Sequence, residues 1–288
     1  MSHLYIVSTP IGNLEDFTFR AVAVLQNVSR VLAEDTRRTA ILLRHYAIDT
    51  PLISAHEHNE AARAAQIVGW LDAGQDLALV SDAGTPLLSD PGARIVRAAI
   101  DAGHDVVPIP GASALLAALV ASGIATEPFT FFGFLPRSGR ARVEALEVLS
   151  QLRHTAVLYE SPARLETLLR DLAESCGPDR GVAVARELTK LHETLVRGTL
   201  ASVLVHYEGR SVRGEIVVVL GGAPEVEPSA DDARLLAGSL LSAGESPRSA
   251  AKELARRLRI PRNDAYALVL ALAAEDPPPA AEDPRTEE

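Results

Sequence analysis

The chain has 288 residues, 47% of them hydrophobic and 23% charged, with a formal net charge of −10. That length and apolar content bury a full core and predict two compact domains rather than one. The lone Cys176 excludes an internal disulfide, and no apolar run approaches the roughly 18 residues of a spanning helix; Met1-Ser2-His3-Leu4-Tyr5 enters a strand pattern without a secretory leader, so a cytoplasmic address is expected.

From Leu4 to about Ser122, strands near 4–8, 29–34, 77–81 and 105–109 alternate with helices near 15–27, 37–46, 57–73, 91–102 and 112–122. In the helix at 57–73, Ala61, Ala64, Ile67, Val68 and Leu71 share one face. Such alternation predicts a parallel sheet covered on both faces, forming a first domain over 1–125. Gly123 to Pro128 reads as a linker. Strands near 130–134, 155–160, 181–187, 194–199 and 214–220 follow, with long helices only near 138–152 and 162–175, so the second domain (126–224) is predicted to hold a mixed sheet. A helical module spans 229–274, and its break at Arg259-Ile260-Pro261-Arg262 matches a helix-turn-helix. An acidic, Pro-rich tail at 275–288 is expected to be disordered.

The average charge hides a segregation. The tail alone carries −5, whereas Pro247 to Asn263 carries +5 from Arg248, Lys252, Arg256, Arg257, Arg259 and Arg262 against Glu253. A negative total therefore does not exclude a nucleic-acid partner, whose phosphates need only a local basic surface.

Three strand ends carry the chemistry: Ser8-Thr9-Pro10-Ile11-Gly12-Asn13, Ser81-Asp82-Ala83-Gly84-Thr85-Pro86 and Pro110-Gly111-Ala112-Ser113-Ala114. Open α/β sheets bind ligands at the carboxyl ends of their strands, so these turns outline one cleft. The chain has no Gly-x-x-x-x-Gly-Lys-Ser/Thr loop, and no Gly-x-Gly-x-x-Gly follows the first strand. A nucleoside-like ligand suits turns offering main-chain groups, hydroxyls and the carboxylate of Asp82. Asp90, ahead of Pro91, is assigned to capping the next helix, and Asp35 or Thr36 to capping the helix that carries Arg37 and Arg38.

These turns, together with Ala33-Glu34-Asp35-Thr36-Arg37-Arg38-Thr39, His56-Glu57-His58-Asn59-Glu60, Phe132-Gly133-Phe134-Leu135-Pro136, Tyr159-Glu160-Ser161-Pro162, Arg186-Glu187-Leu188-Thr189-Lys190 and Gly214-Glu215, resemble the small-subunit ribosomal RNA methyltransferases of the tetrapyrrole methylase superfamily. The resemblance covers residues 3–272. It implies two α/β domains with S-adenosylmethionine between them, a homodimer, no metal, and 2′-O-methylation of a cytidine ribose in the decoding region of 16S rRNA, on free RNA or an assembled 30S subunit. The donor-binding positions it implies are Pro10, Asp82, Ala83, Gly84, Thr85, Pro86, Gly111, Ser113, Ala114, Glu160 and Leu188. Ser8 to Asn13 stands where tetrapyrrole-modifying relatives have a Gly-rich turn ending in Asp, which speaks against a corrin or porphyrin substrate.

Direct displacement needs alignment and a proton acceptor. Glu187, Lys190 and then His56 are the catalytic candidates in that order. Arg37 and Arg38 are expected to contact RNA, since a guanidinium pairs two phosphate oxygens, and Lys252, Arg256 and Arg257 are expected to do so on the C-terminal helices. His56-x-His58 has ligand spacing on a strand, but no third ligand accompanies it, and a plain polar or substrate-facing role is expected instead. Two rivals remain: a tetrapyrrole C-methyltransferase, which leaves the basic helices unexplained, and a ligand-sensing DNA-binding regulator, which turns over no donor.

Overall fold

The computed structural model describes residues 2–56, 60–224, 229–258 and 260–275. The chain divides into two compact units, Met1–Pro224 and Glu225–Glu288.

The first unit opens with β1 (His3–Val7), α1 (Phe19–Asn27), β2 (Arg30–Ala33), α2 (Thr36–His45), β3 (Leu52–Ser54), α3 (Glu60–Asp72), β4 (Leu77–Val80), α4 (Ala93–Asp101), β5 (Asp105–Ile109) and α5 (Ala114–Ala121). Its strands form one parallel sheet in the order β3-β2-β4-β1-β5. Leu77 to Val80 of β4 are all buried, as a strand covered on both faces requires. Val7, Val31, Ala33 and Val80 face the layer of α1 and α2, while Leu4, Leu32, Leu77 and Leu79 face that of α3 and α4.

A second set follows: β6 (Phe129–Phe134), α6 (Arg140–Gln151), β7 (Thr155–Glu160), α7 (Leu165–Cys176), β8 (Gly181–Arg186), β9 (Thr194–Thr199), α8 (Leu200–Tyr207) and β10 (Ile216–Leu220). The order is β6-β7-β10-β8-β9, with β6 and β7 parallel and the remaining neighbours antiparallel. The α/β class with a parallel and a mixed sheet is as the sequence predicts. One face, with Ala156, Leu158, Val184 and Val218, carries α6, α7 and α8. The other, with Val157, Ala183 and Val219, receives Leu115, Ala118 and Leu119 of α5, so the last helix of the first set is the floor for the second sheet.

The second unit comprises α9 (Ala230–Ser242), α10 (Pro247–Leu258) and α11 (Arg262–Glu275), around Ala237, Ala250, Leu254, Ala265 and Val269. Ser229 caps α9 through a reciprocal box with Asp232. Of the predicted turn between α10 and α11, Arg259 lies outside the described residues, as does the predicted disordered tail from Asp276 onward.

Two expectations about helix starts separate here. Asp35 takes the α2 cap, its carboxylate accepting from the Arg37 N–H at 2.9 Å. Asp90 does not cap α4: Gly92 is its N-cap, with no side-chain cap bond. Instead the buried Glu60 reaches in from α3, and its Oε1 accepts from the N–H groups of Arg94 at 2.6 Å and Ile95 at 3.3 Å. A carboxylate there satisfies two orphan donors and faces the positive helix end. Glu60→Ala is expected to lower unfolding free energy by about 1–2 kcal/mol, read as a reduced urea midpoint at unchanged slope.

Candidate functional site

The ends of β1, β4 and β5 are fastened together. Thr9 and Gly84 exchange two main-chain bonds, at 2.9 and 3.0 Å. The Thr9 hydroxyl donates to Ser81 O at 3.2 Å, Ser8 Oγ donates to Thr85 Oγ1 at 3.2 Å, and Thr85 Oγ1 donates to Ala112 O at 3.1 Å. Gly84 sits at φ +82°, a left-handed conformation suited to glycine. A Cβ on Gly111 would stand 2.9 Å from the Ser8 side chain, so that turn tolerates only glycine beside β1.

Beyond these ends lies a cavity of about 400 Å³, within the range of small-molecule sites. The segments through α5 contribute Ile11, Glu34, Arg38, Asp82–Thr85, Leu88–Asp90, Ser113 and Ala114; those from β6 onward contribute Phe134, Tyr159–Pro162, Ala185, Leu188 and Gly214–Val217. The expected donor residues Asp82, Ala83, Gly84, Thr85, Ser113, Ala114, Glu160 and Leu188 thus share one cavity wall, and Gly111 braces it from behind. Pro10 and Pro86 are buried beside it and do not line it.

Asp82 is engaged rather than open. Its Oδ1 accepts from the Asp35 N–H at 3.0 Å, and its Oδ2 lies 3.4 Å from Arg38 Nη1. Arg37 points outward, bound to Asp35 at 2.9 Å; that partner holds the Asp35 carboxyl down at about 2. Glu160 is fully buried: its Oε1 accepts from Ser161 N at 2.7 Å and Arg164 Nη2 lies at 2.6 Å, while Oε2 has no partner. Strand alternation places this carboxylate on the side of Ala156 and Leu158, and Glu160 is among the residues lining the cavity.

The catalytic candidates lie next to the cavity and do not line it. Lys190 Nζ sits 2.8 Å from Glu187 Oε1 and 3.0 Å from Glu215 Oε2, and Glu187 Oε1 also accepts from the Glu215 N–H at 3.0 Å. Burial works against the Lys190 charge, but the hydrogen bonds to Glu187 and Glu215 prevail and raise its pKa. The Lys190 hydrogen bond, then that from Glu215 N, lowers Glu187. A lysine held charged and a carboxylate held ionised are poor proton acceptors. Glu187 (φ +53°) and Thr189 (φ +65°) take left-handed turns, and Asn13 N donates to Thr189 Oγ1 at 3.0 Å, joining the first strand-end loop to the loop between β8 and β9. Gly12 and Gly214 allow this approach, since a Cβ on either would collide with Lys190 or Glu187. His56 follows β3, and its charge acts on Glu34; His58 lies outside the described residues. Among the described residues, no group of three or more His, Cys, Asp or Glu is arranged to hold a metal ion.

Sequence reasoning missed two groups. Glu34 and Asp90 are carboxylates lining the cavity. Burial, then the charge of Asp82, raises Glu34. Burial, then the charges of Glu34 and Asp82, raises Asp90 to about 6, against a smaller opposing effect from a Ser81 hydrogen bond. The aromatic wall was missed as well: Tyr159 contacts Phe131 and Phe134 edge-on, at 4.9 and 5.6 Å between centroids.

A parallel sheet and a mixed sheet thus share one ligand-sized cavity, the arrangement of an α/β protein that binds a small molecule at strand ends. The sequence profile of the Tetrapyrrole (Corrin/Porphyrin) Methylases matches residues 3–204. Similar solved structures include the methyltransferase CobJ (TM-score 0.59, 19% identity, 77% of this chain and 95% of that one). Another is uroporphyrin-III C-methyl transferase from Thermus thermophilus complexed with S-adenyl homocysteine (TM-score 0.56, 18% identity, 76% and 97%). At higher identity, the chain is similar to Ribosomal RNA small subunit methyltransferase I of Synechocystis sp. (46% over 278 residues, 96% of this chain and 100% of the relative). It is also similar to that of Bacillus subtilis (43% over 273 residues, 92% and 93%). The chain belongs to the tetrapyrrole methylase family, in the branch of the ribosomal RNA small subunit methyltransferases I.

Proposed function

We propose that this chain transfers a methyl group from S-adenosylmethionine to the ribose 2′-oxygen of a cytidine in the decoding region of small-subunit ribosomal RNA. The observation that carries the donor half is the cavity at the stitched ends of β1, β4 and β5. Ala83 to Thr85 and Leu188 would hold the donor by main-chain groups and apolar contact, and the acidic lining of Glu34, Asp82 and Glu215 suits its positive sulfur and ammonium. The bound donor supplies an electrophilic methyl on a leaving group that is already cationic, so the protein has to align the hydroxyl and take its proton. Calorimetry with S-adenosylhomocysteine is expected to give one site per chain; no saturable heat would reject the donor assignment.

The RNA half rests on the relatives and on charge. Lys252, Arg256 and Arg257 project from α10, although both arginines are held by Glu253 at 2.6 Å and must exchange that partner for phosphate. Arg38 lines the cavity and Arg37 is exposed beside it. The triple change of Lys252, Arg256 and Arg257 to Gln is expected to lower the slope of log affinity against log salt by about 0.7–0.9 for each phosphate no longer neutralised while leaving donor affinity intact. An unchanged slope would make the second unit a packing module. The same reading takes an assembled small subunit as a substrate, a cytoplasmic setting and a homodimer as the working form, the last checked by sedimentation.

A further inference from the structure

The mechanism needs a proton acceptor, and the geometry near Glu187 and Lys190 does not provide one. Of the carboxylates lining the cavity, Asp82 is engaged by Asp35 N and Arg38, Glu160 is bound to Arg164, and Glu215 is paired with Lys190. Glu34 and Asp90 remain. Glu34 stands at the end of β2 with the charges of Arg38 and His56 acting on it. Asp90 lies on the loop between β4 and α4 and, released from the capping role that Glu60 fulfils, sits half-buried in the cavity wall, which Tyr159 also lines.

We propose that Asp90 is the general base of the methyl transfer, accepting the proton of the attacking ribose hydroxyl. This rests on the function proposed above. As the hydroxyl oxygen forms its bond to the methyl carbon, its O–H bond breaks and the proton passes to an Asp90 carboxylate oxygen. The methyl–sulfur bond breaks in the same step, its electron pair returns to sulfur to leave a neutral thioether, and Asp90 afterwards releases the proton to water. Burial and the neighbouring charges of Glu34 and Asp82 hold Asp90 at about 6, so at neutral pH it is ionised and still basic enough to act, the match that general-base catalysis requires. The groups acting on it or acted on by it are Ser81 and Asp82 after β4, Glu34 at the end of β2, and Tyr159 on β7, while Arg38 acts on Glu34.

The test compares Asp90→Asn, Asp90→Glu and Glu34→Gln with the wild type in single-turnover methylation of small subunits lacking the methyl, with circular dichroism to verify folding. Asp90→Asn is expected to slow transfer by about 10²–10⁴-fold and to leave S-adenosylhomocysteine affinity within about twofold. Wild-type rates are expected to fall tenfold per pH unit below about 6, a limb that Asp90→Asn loses and Asp90→Glu keeps, displaced, with partial rescue. In the ligand-free protein, carbon-13 NMR is expected to show an aspartate carboxyl titrating near that value and missing from Asp90→Asn. If Asp90→Asn does not fold, the displaced limb of Asp90→Glu decides. A near-wild-type rate in Asp90→Asn, a loss of donor affinity equal to the loss of rate, or a larger rate loss in Glu34→Gln would overturn the assignment. A wild type that leaves its methyl on a base would overturn the function instead, whatever the variants do.

Discussion

In the Gly111→Val variant, affinity for S-adenosylhomocysteine is expected to fall by roughly 10- to 100-fold in a protein that still folds. Even the first carbon of a side chain at 111 would lie 2.9 Å from the Ser8 side chain and 3.3 Å from Ser8 O, and valine adds two methyls beyond it. Ser8 cannot give way cheaply, because its N–H donates to Ile109 O at 3.2 Å and its hydroxyl to Thr85 Oγ1. The strain therefore passes to the Gly84–Thr85 turn that lines the cavity. Overpacking of this kind costs about 1–3 kcal/mol, and each 1.4 kcal/mol that falls on the bound state is tenfold in affinity. Calorimetry measures it directly, and unchanged affinity would place the donor away from these turns.

Arg180→Ala is expected to be the most destabilising single change in the first unit. The Arg180 side chain is buried and donates to four main-chain carbonyls: Gly221 at 2.6 Å, Leu149 at 2.8 Å, Ser150 at 3.2 Å and Leu152 at 2.8 Å. It thus ties the end of α6 to the exit of β10, where a Cβ on Gly222 would collide with the Arg153 carbonyl. Truncation leaves those oxygens without a donor. If water reaches two of them, the other two at about 1–3 kcal/mol each remove roughly 2–6 kcal/mol, a large share of the 5–15 kcal/mol by which domains are stable. Arg180→Lys is expected to recover part of it. Urea denaturation monitored by circular dichroism gives the loss, and a midpoint within experimental error of wild type would show that the carbonyls find other donors.

The parallel sheet was legible because its strands are apolar runs separated by periodic helices, and the strand-end turns because Pro and Gly punctuate them. What escaped is short or set by distant partners. β3 has three residues, too few for a period. α8 follows β9 without a break, although Thr199 and Ser202 supply a capping box that marks its start. Asp90 stands before Pro-Gly and reads as a cap, but the cap comes from Glu60, 34 residues before Arg94 in sequence, and no local pattern reveals that. Glu187 and Lys190 were chosen for chemistry their types permit; their mutual pairing and the closure around Gly12 and Gly214 are tertiary facts. Arg38 reads in sequence as a phosphate-pairing guanidinium, and its position beside Asp82 in the cavity wall depends on how β2 and β4 pair.

A donor held at the ends of β1, β4 and β5 is expected to methylate a ribose in small-subunit RNA. Incubating the protein with S-adenosylmethionine carrying a labelled methyl and small subunits lacking the modification, followed by nuclease digestion and mass spectrometry of the nucleosides, tests it most directly. The account predicts label on one cytidine, on the ribose rather than the base, within the decoding region, and far less of it with Gly111→Val at donor concentrations that just saturate the wild type. Label on a base or on a tetrapyrrole, or undiminished labelling by Gly111→Val, would contradict it.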